Sequence, residues 1–506
     1  MTAATRVKAI LLLGLALVAF VGSDSWFAIL GDESEFVTLA HQPLAQTFDD
    51  YVYGDGQPEH APLAGVVLHA WLPIGGHAQW SLRIPSMLFY LAGIVGFALA
   101  ARRLGGDRAF LSLLWIGVLW PLGFHFGRLA DWYSLCFFLV AATTLAYLIY
   151  LERRDTRQFA VFLIVAVLLV YATYYGWVIV GCLLIDLLLI RRDRDSLKFV
   201  AITLATLALA YLPIWRVFAG QVLSALSAEG FGSPALIKRS LIALYNLYAL
   251  FVSQSVAPWI WYVSIPVSAA IAASVGLMLS LLPKCHRRYL IYFAVLFGVM
   301  VILNIINTHR LLHISGWLLL SFALALANSD KPIQRRLLAC MLAFIGVVGW
   351  GGILARDYYA APQIVEPWTK IADDAANIVR SGGVVVSNST SFMFDMNYAL
   401  FRIGLVEASS VPGWVNHPAI NWDDEQSAVD LAGKSSILFV KEGQFGLGVH
   451  AGSAERWLTT NCMAGTIRNL MPDAGHLFKA KYIRNLGPQP YRIALREYDC
   501  SGGTRR

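Results

Sequence analysis

Two adjacent carboxylates stand just beyond the first long apolar run of the chain. Asp32 and Glu33 follow a run that covers approximately residues 9–30. A carboxylate held at a membrane surface can take a proton from an attacking hydroxyl group, and its neighbour can position that hydroxyl or hold an ion. The pattern favours a general-base site, and two solvated acids at a helix end remain the alternative.

Arginine and histidine recur at the ends of later apolar runs. Arg83 opens the second run, Arg128 closes the third with Asp131 beside it, and His309-Arg310 join the ninth and tenth. Guanidinium groups match the oxygens of a phosphate, so three of them on one face predict an anion site. For each arginine taken alone, an ion pair with a nearby carboxylate or contact with lipid headgroups remains open.

A membrane domain must position these side chains. Hydrophobic residues make up 58% of the 506 residues and charged residues only 14%, whereas soluble domains carry roughly 25% charged residues. Of the 71 charged residues, 30 fall in the last 152 positions. The composition excludes an ordinary soluble enzyme. It predicts a polytopic α-helical membrane domain over residues 1–354 and a soluble domain over residues 355–506.

The hydropathy pattern predicts about eleven transmembrane helices. A membrane span needs about 20 mainly apolar residues, and such runs cover approximately 9–30, 84–101, 109–126, 132–151, 158–173, 175–190, 197–215, 258–282, 289–306, 311–327 and 336–354. With a cytoplasmic N-terminus, eighteen Lys and Arg residues fall in the inner segments and six in the outer ones. This asymmetry follows the positive-inside tendency. It explains the net charge of +7 without a nucleic-acid partner.

Three segments allow more than one interpretation. Residues 158–190 would form a single helix of about 50 Å with positive charge at both ends, so a helical hairpin that turns at residues 174–176 is predicted. Residues 240–257 are apolar enough to span, but a span there would reverse every later orientation, which favours an interfacial or re-entrant helix. The first run has a signal peptide as its alternative, and cleavage would still leave residues 31–80 outside.

Two soluble parts are predicted on the outer face. The first outer loop, residues 31–81, contains seven acidic residues and four histidines but no Lys or Arg, and its second half suits a helix on the membrane surface. The tail alternates element types, with helices over 367–380 and 392–401 and strands over 383–387 and 436–440. This alternation predicts a small extracytoplasmic α/β domain.

The six cysteines divide in the same way as the chain. Four of them lie within or at the ends of apolar runs and are most simply core residues. Cys462 and Cys500 alone fall in the outer tail, where the compartment permits a disulfide. Spacing alone does not bring two sulfur atoms together, so the Cys462–Cys500 bond is a prediction.

Four short motifs follow one another along the membrane half of the chain. They are the Asp-Glu pair, Glu59-His60-Ala61-Pro62-Leu63, Trp80-Ser81-Leu82-Arg83-Ile84-Pro85-Ser86, and Gly127-Arg128 followed by Tyr133-Ser134. Their order resembles that of the GT-C glycosyltransferases, in particular the family 39-like branch of protein O-mannosyltransferases and aminoarabinose transferases. That family usually has His-Pro-Pro-Leu at the second motif and an Arg-Pro-Tyr-like run at the last. The second departure leaves the role of Arg128 open.

The resemblance implies transfer of a hexose or pentose from a polyprenyl-phosphate carrier to an acceptor hydroxyl on the outer face, with inversion. A lipid phosphate is already a good leaving group, so the site must chiefly supply a base and cations. Asp32 is the predicted base, and Glu33 is expected to position the acceptor or hold an ion.

The remaining candidates bind rather than react. The predicted donor phosphate site consists of Arg83, Arg128, Arg310 and His309. Candidates for contact with the acceptor or a metal ion are His60, Glu59 and Asp131. The cofactor is left open, with a divalent cation as one option. The acceptor is a glycan, a lipid or a protein, and the location is the plasma membrane if the source is bacterial.

Two other classes of membrane protein are alternatives to this function. A secondary transporter is expected to show related halves and ionisable residues at mid-membrane. The sequence has no visible internal repeat, and the in-span Asp186 lies near an inner end. A non-catalytic assembly or sensing protein would not need the Asp32-Glu33 pair beside outer arginines. Both remain alternatives to the glycosyltransferase.

Overall fold

The computed structural model describes residues 2–23, 33, 36–37, 40, 43–45, 61–220, 233–258, 260–303, 305–327, 330–355, 368–387, 419–421, 435–442, 457–470 and 493–500. The chain divides into two compact units between Leu354 and Ala355. The first unit contains Met1–Gly22, Leu44–Ile74 and Trp80–Leu354, and the second contains Ser23–Pro43, Gly75–Gln79 and Ala355–Arg506. Parts of the first outer loop, within Ser23–Pro43 and Gly75–Gln79, therefore belong to the same unit as the C-terminal tail.

The first unit is helical. In chain order its helices are α1 (Ala3–Gly22), α2 (Leu63–Gly75), α3 (Gln79–Leu119), α4 (Pro121–Phe126), α5 (Trp132–Arg153), α6 (Thr156–Ala172), α7 (Gly176–Ile190), α8 (Arg194–Tyr211), α9 (Ser233–Val252), α10 (Trp261–Leu281), α11 (Arg288–Ile302), α12 (Leu312–Ala327) and α13 (Pro332–Ala355). Short 3-10 turns occupy Leu212–Ile214, Lys284–His286 and His309–Leu311.

Eight helices within the described residues are long and apolar enough to cross a membrane. The eleven predicted spans differ from this number for two reasons. The range Gln79–Leu119 is one of the eight, but it contains two helices that meet at a kink at Gly106, where φ is 74°, so it carries the second predicted span and the first part of the third. The spans of the predicted hairpin, α6 and α7, have only 17 and 15 residues. The hairpin itself is confirmed, because α6 ends at Ala172 and α7 begins at Gly176.

The structure defines the end of the first helix and the helix in the segment 240–257. Helix α1 ends at Gly22 rather than near residue 30, and residues 24–30 lie outside the described part of the chain. The segment predicted as interfacial or re-entrant falls largely in α9, and the residues that follow this helix, including Ser253 and Val256, are buried. The described helix α2 corresponds to the predicted surface helix.

Side-chain contacts join the basic connections at one end of the bundle. The backbone N of Thr2 lies 3.4 Å from Asp107 Oδ2. Arg103 donates to Glu152, and Arg154 Nη1 donates to Asp193 Oδ2 at 2.8 Å. The hydrogen bonds from Arg154 and Ser196 lower the pKa of Asp193 to about 2. The N-terminus and three basic connections therefore lie on one side of the first unit, as the charge pattern predicts.

The second unit contains a five-stranded mixed sheet and one described helix. The elements are α14 (Trp368–Arg380), β1 (Val384–Ser387), β2 (Ala419–Asn421), β3 (Ser436–Glu442), β4 (Met463–Leu470) and β5 (Ile493–Asp499). The strand order is β2-β1-β3-β5-β4, with β1 parallel to both of its neighbours and β5 antiparallel to both of its own. The predicted helix over 392–401 lies outside the described residues.

Strand alternation explains why this sheet forms. Val384 pairs with Ile437 and Val386 with Phe439, so one face presents a row of apolar side chains that are almost fully buried. Val385 and Leu438 are buried on the opposite face. A short strand with apolar residues at every position suits a parallel sheet covered on both faces. The small C-terminal α/β domain has the predicted type.

The two tail cysteines form a disulfide between residues 38 positions apart. Replacing Cys462 and Cys500 by Ser is expected to lower the unfolding free energy of this domain by about 3 to 4 kcal/mol, since the bond restricts the unfolded chain. Thermal unfolding of the full-length protein measures this effect, with the exposed free cysteine Cys285→Ser as the matched control. Mass spectrometry that finds both thiols free in unreduced protein would contradict the assignment.

Candidate active site

The first turns of α3 hold Arg83 in the interior of the membrane unit. The Arg83 side chain is fully buried. Ahead of it, Trp71 Nε1 on α2 donates to the Ser81 carbonyl oxygen at 2.9 Å. Ser86, one turn further along α3, donates to the Asp131 carbonyl oxygen at 3.4 Å. The start of α3 is therefore attached both to α2 and to the segment that carries Arg128.

Arg128 lies in the junction between α4 and α5. Its side chain is fully buried, and its Cζ atom lies 5.2 Å from the centroid of the Phe124 ring, a cation-π distance. Asp131 caps α5, because its Oδ1 accepts from the Trp132 N–H at 2.6 Å. Ser134 Oγ donates to the Gly127 carbonyl oxygen at 2.8 Å. One oxygen of the predicted acceptor or metal candidate Asp131 therefore has a structural partner.

Two glycines let this junction approach Tyr90 of α3. A Cβ atom at Gly123 would lie 1.7 Å from Tyr90 Oη, and one at Gly127 would lie 2.3 Å from the Gly123 carbonyl oxygen. The Tyr90 hydroxyl donates to the Gly117 carbonyl oxygen at 2.8 Å. Because that ring is fixed, only residues without a side chain fit against it, and the position of Arg128 depends on this packing.

Gly127→Ala is therefore expected to destabilise the membrane unit by about 1 to 3 kcal/mol, because the added methyl group overlaps both a backbone oxygen and the Tyr90 ring. Thermal unfolding in detergent measures this effect. Gly181→Ala in α7 is the matched control, since nothing lies within 4 Å of its added Cβ. Equal stability of the two variants would refute the packing argument.

His309 and Arg310 occupy the 3-10 turn that precedes α12. The His309 ring stacks on Tyr133, with centroids 4.7 Å apart, and meets the edge of Phe126 at 6.0 Å. Arg310 Nη1 donates to the Ile305 carbonyl oxygen at 3.3 Å, and the guanidinium lies within electrostatic range of the Tyr175 hydroxyl. The turn that carries these two cationic candidates therefore packs directly against the segment that carries Arg128 and Asp131.

Two further histidines lie near these cations, and the sequence analysis did not predict them as site residues. His125 Nδ1 lies 2.9 Å from Ser253 Oγ, and Arg128 and Arg83 both lie within electrostatic range of its ring. His313 is fully buried between Tyr175 and Trp132, with ring centroids 5.5 Å apart in each pair. Their spacing was the available signal, since His125 precedes Arg128 by three residues and His313 follows His309 by one helical turn.

Of the predicted acids and the histidine of the first outer loop, the structure describes only some. Asp32, Glu59 and His60 lie outside the described residues. Glu33 is described and is only 2% exposed, and it belongs to the second unit. Arg83, Arg128, Asp131, His309 and Arg310 all belong to the first unit. In the described part of the chain, no group of three or more His, Cys, Asp or Glu side chains is arranged to hold a metal ion.

An apolar groove of about 690 Å³ is lined in part by Phe124, the residue whose ring lies under the Arg128 guanidinium. Helices α1, α3, α12 and α13 supply its walls, with Phe20, Trp115, Phe322 and Trp350 among the lining side chains. Phe124 also lines it, stacking on Phe20 at 5.3 Å and lying 4.2 Å from Trp350. Since Phe124 also contacts the Arg128 guanidinium, an apolar surface and a cation meet at one ring.

Comparison with known proteins identifies the fold of the membrane unit and tail. A family model described as dolichyl-phosphate-mannose-protein mannosyltransferase matches residues 59–216, which include Arg83, Arg128 and Asp131. ArnT from Cupriavidus metallidurans in the apo state superposes with a TM-score of 0.57 and 13% identity over 98% of each chain. This chain has the GT-C fold. The predicted resemblance to the GT-C glycosyltransferases and the predicted fold class are confirmed.

Two further solved structures are similar to this GT-C chain. ArnT from the same organism bound to undecaprenyl phosphate superposes with a TM-score of 0.56, at 13% identity and 98% coverage of each chain. The Archaeoglobus fulgidus oligosaccharyltransferase in the apo form covers 86% of this chain and 69% of its own, at 12% identity and a TM-score of 0.49. No curated protein matches the chain. The family match and the fold support a glycosyltransferase that is an integral membrane protein.

Proposed function

We propose that this GT-C chain transfers a sugar from a polyprenyl-phosphate donor to an acceptor hydroxyl group at the outer face of the membrane. The observation that carries the proposal is the position of Arg128, a fully buried cation in contact with the ring of Phe124, which in turn lines an apolar groove. A lipid with an anionic head group has the matching chemistry, since its chain fills the groove and its phosphate meets the arginine. ArnT, which has the same fold, binds undecaprenyl phosphate.

The transfer needs a base and a means of stabilising the leaving phosphate. The acceptor oxygen attacks the anomeric carbon, the bond between that carbon and the phosphate oxygen breaks, and the acceptor proton passes to the Asp32 carboxylate. Polyprenyl phosphate departs, and the anomeric configuration inverts. Arg83, Arg128 and Arg310 neutralise the charge that builds on the phosphate in the transition state, so no general acid is required.

The other candidates serve binding in this proposal. His309, stacked on Tyr133, donates a hydrogen bond to the donor phosphate. Glu33 positions the acceptor, and His60 and Glu59 contact the acceptor or hold a divalent cation. The donor sugar is a hexose or a pentose, and the acceptor is a glycan, a lipid or a protein.

The decisive experiment is sugar transfer by the purified full-length protein. The protein is incubated with a panel of radiolabelled polyprenyl-phosphate hexoses and pentoses and with membrane extracts that supply acceptors. The labelled product is then identified. At least one donor should be consumed, and Arg128→Ala should abolish that consumption. Arg216→Ala, at an exposed arginine of a predicted outer connection, is the control and should leave transfer unchanged. Absence of transfer from the whole panel, by protein whose fold is verified, would refute the proposal.

The proposed orientation places the first outer loop outside the cell. A cysteine at Asp55, introduced by Asp55→Cys into a chain without other reactive thiols, should react with a membrane-impermeant maleimide added to intact cells. A cysteine at Arg154, in an inner basic connection, should react only after lysis, because the charge asymmetry keeps that connection in the cytoplasm. Labelling of residue 55 only after lysis would place the base and the phosphate site on opposite sides of the membrane, which would contradict the mechanism.

A further inference from the structure

Helix α9 contacts both segments that carry the proposed phosphate-binding cations. It contributes none of the catalytic or phosphate-binding candidates, and the sequence left its role open. Its first described contact with the rest of the membrane unit is a hydrogen bond from Arg239 to the Ile302 carbonyl oxygen at 3.3 Å. Further along, Asn246 is hydrogen-bonded to Thr308, which directly precedes the His309-Arg310 turn. Ser253, at the end of the helix, is hydrogen-bonded to His125 of α4.

The first of these contacts is a buried bond between two side chains. Thr308 Oγ1 donates to Asn246 Oδ1 at 2.9 Å, and the two residues are 0% and 3% exposed. Asn246 Nδ2 donates to the Ile242 carbonyl oxygen at 2.9 Å, which fixes the orientation of the amide group and leaves its oxygen for Thr308. Because Thr308 directly precedes His309, this bond determines where the turn begins.

The second contact lies at the end of the same helix. Ser253 is fully buried and has a φ of 61°, a left-handed conformation that a residue with a side chain adopts only when its surroundings hold it there. Its hydroxyl lies 2.9 Å from His125 Nδ1 on α4, three residues before Arg128. Nearby, Trp120 Nε1 donates to the Leu250 carbonyl oxygen at 2.7 Å.

We propose that α9 is a brace that holds the Arg310 turn and the Arg128 segment at a fixed separation, with Asn246 and Ser253 as positioning residues. This inference rests on the proposed function, in which both arginines bind one phosphate. Two guanidinium groups neutralise the same phosphate only if the two segments that carry them keep a fixed distance from each other. A displacement of about 1 Å can cost on the order of 100-fold in rate.

The Asn246–Thr308 bond is tested by a double-mutant cycle. Asn246→Val and Thr308→Val should each reduce kcat/KM for the lipid donor by about 10- to 100-fold, mainly through the donor KM, and should leave the acceptor KM unchanged. The double variant should be no worse than either single variant, because both remove the same bond. Thr308→Ser keeps the hydroxyl and should restore most of the activity.

The matched control removes a buried bond that does not reach the cationic segments. Ser255 Oγ lies 2.8 Å from the Gly349 carbonyl oxygen, so this hydroxyl joins the same region to α13 instead. Ser255→Ala should change thermal stability by an amount similar to Asn246→Val while leaving the donor KM as in the wild type. For the other end of the brace, Ser253→Gly suits the positive φ and deletes only the side chain, and it should raise the donor KM as well.

Hydrogen exchange tests the brace without relying on activity. In Asn246→Val and Thr308→Val, amide exchange over residues 305–311 should quicken at least severalfold, and in Ser255→Ala it should match the wild type. Unchanged exchange in the first two variants, or additive losses in the double-mutant cycle, would overturn the brace. Faster exchange in a protein that transfers no lipid-linked sugar would support the brace and refute the proposed function, so the two failures are distinguishable.

Discussion

Asp32→Asn is expected to lower the rate of sugar transfer by about 10² to 10⁴ while donor binding stays largely intact. The amide has nearly the shape of the carboxylate but cannot accept the acceptor proton, so the hydroxyl would attack without base assistance. Single-turnover transfer from a labelled lipid-phosphate sugar measures the rate, and binding of the unlabelled polyprenyl phosphate measures donor affinity. The predicted signature is a loss in kcat with a donor dissociation constant close to that of the wild type.

Glu33→Gln provides the comparison at the neighbouring position. Glu33 is buried, and in the proposed mechanism it positions the acceptor, so its substitution should raise the acceptor KM and reduce kcat less than Asp32→Asn does. Near wild-type transfer by a folded, correctly inserted Asp32→Asn protein would show that Asp32 is a solvated acid. The role of base would then pass to Glu33 or Asp131.

Arg310→Ala is expected to weaken both donor binding and turnover, by about 10- to 100-fold in kcat/KM. A hydrogen bond to a charged group contributes about 1.5 to 3 kcal/mol, and a cation that holds the phosphate acts on the ground state as well as on the transition state. The variant also loses the hydrogen bond from Arg310 to the Ile305 carbonyl oxygen.

The conservative variant separates charge from geometry. Arg310→Lys keeps the positive charge but lacks the planar fork, so it should recover only part of the donor affinity. Arg216→Ala again serves as the exposed control. A donor dissociation constant that is the same in Arg310→Ala and in the wild type would remove Arg310 from the phosphate site. The structural contacts of its side chain would then be its whole role.

The sequence alone determined the architecture of this protein, because hydropathy and charge act locally. Apolar runs of helical length placed the membrane helices, and the excess of positive charge at both ends of residues 158–190 required the hairpin between α6 and α7. Val384 to Val386 and residues 436–440 form strands because apolar residues at successive positions suit a sheet that is covered on both faces. The order of the acidic and cationic motifs along the chain was sufficient to indicate the resemblance to the GT-C glycosyltransferases.

The tertiary structure decided which side chains meet, because those contacts join residues that are far apart in the chain. Ser253 lies 128 positions from His125, and Asn246 lies 62 positions from Thr308, so no local pattern predicts either bond. The requirement for Gly127 depends on the ring of Tyr90, which belongs to another helix. Periodicity reports which face of an element is apolar, whereas close packing selects the neighbour that this face meets.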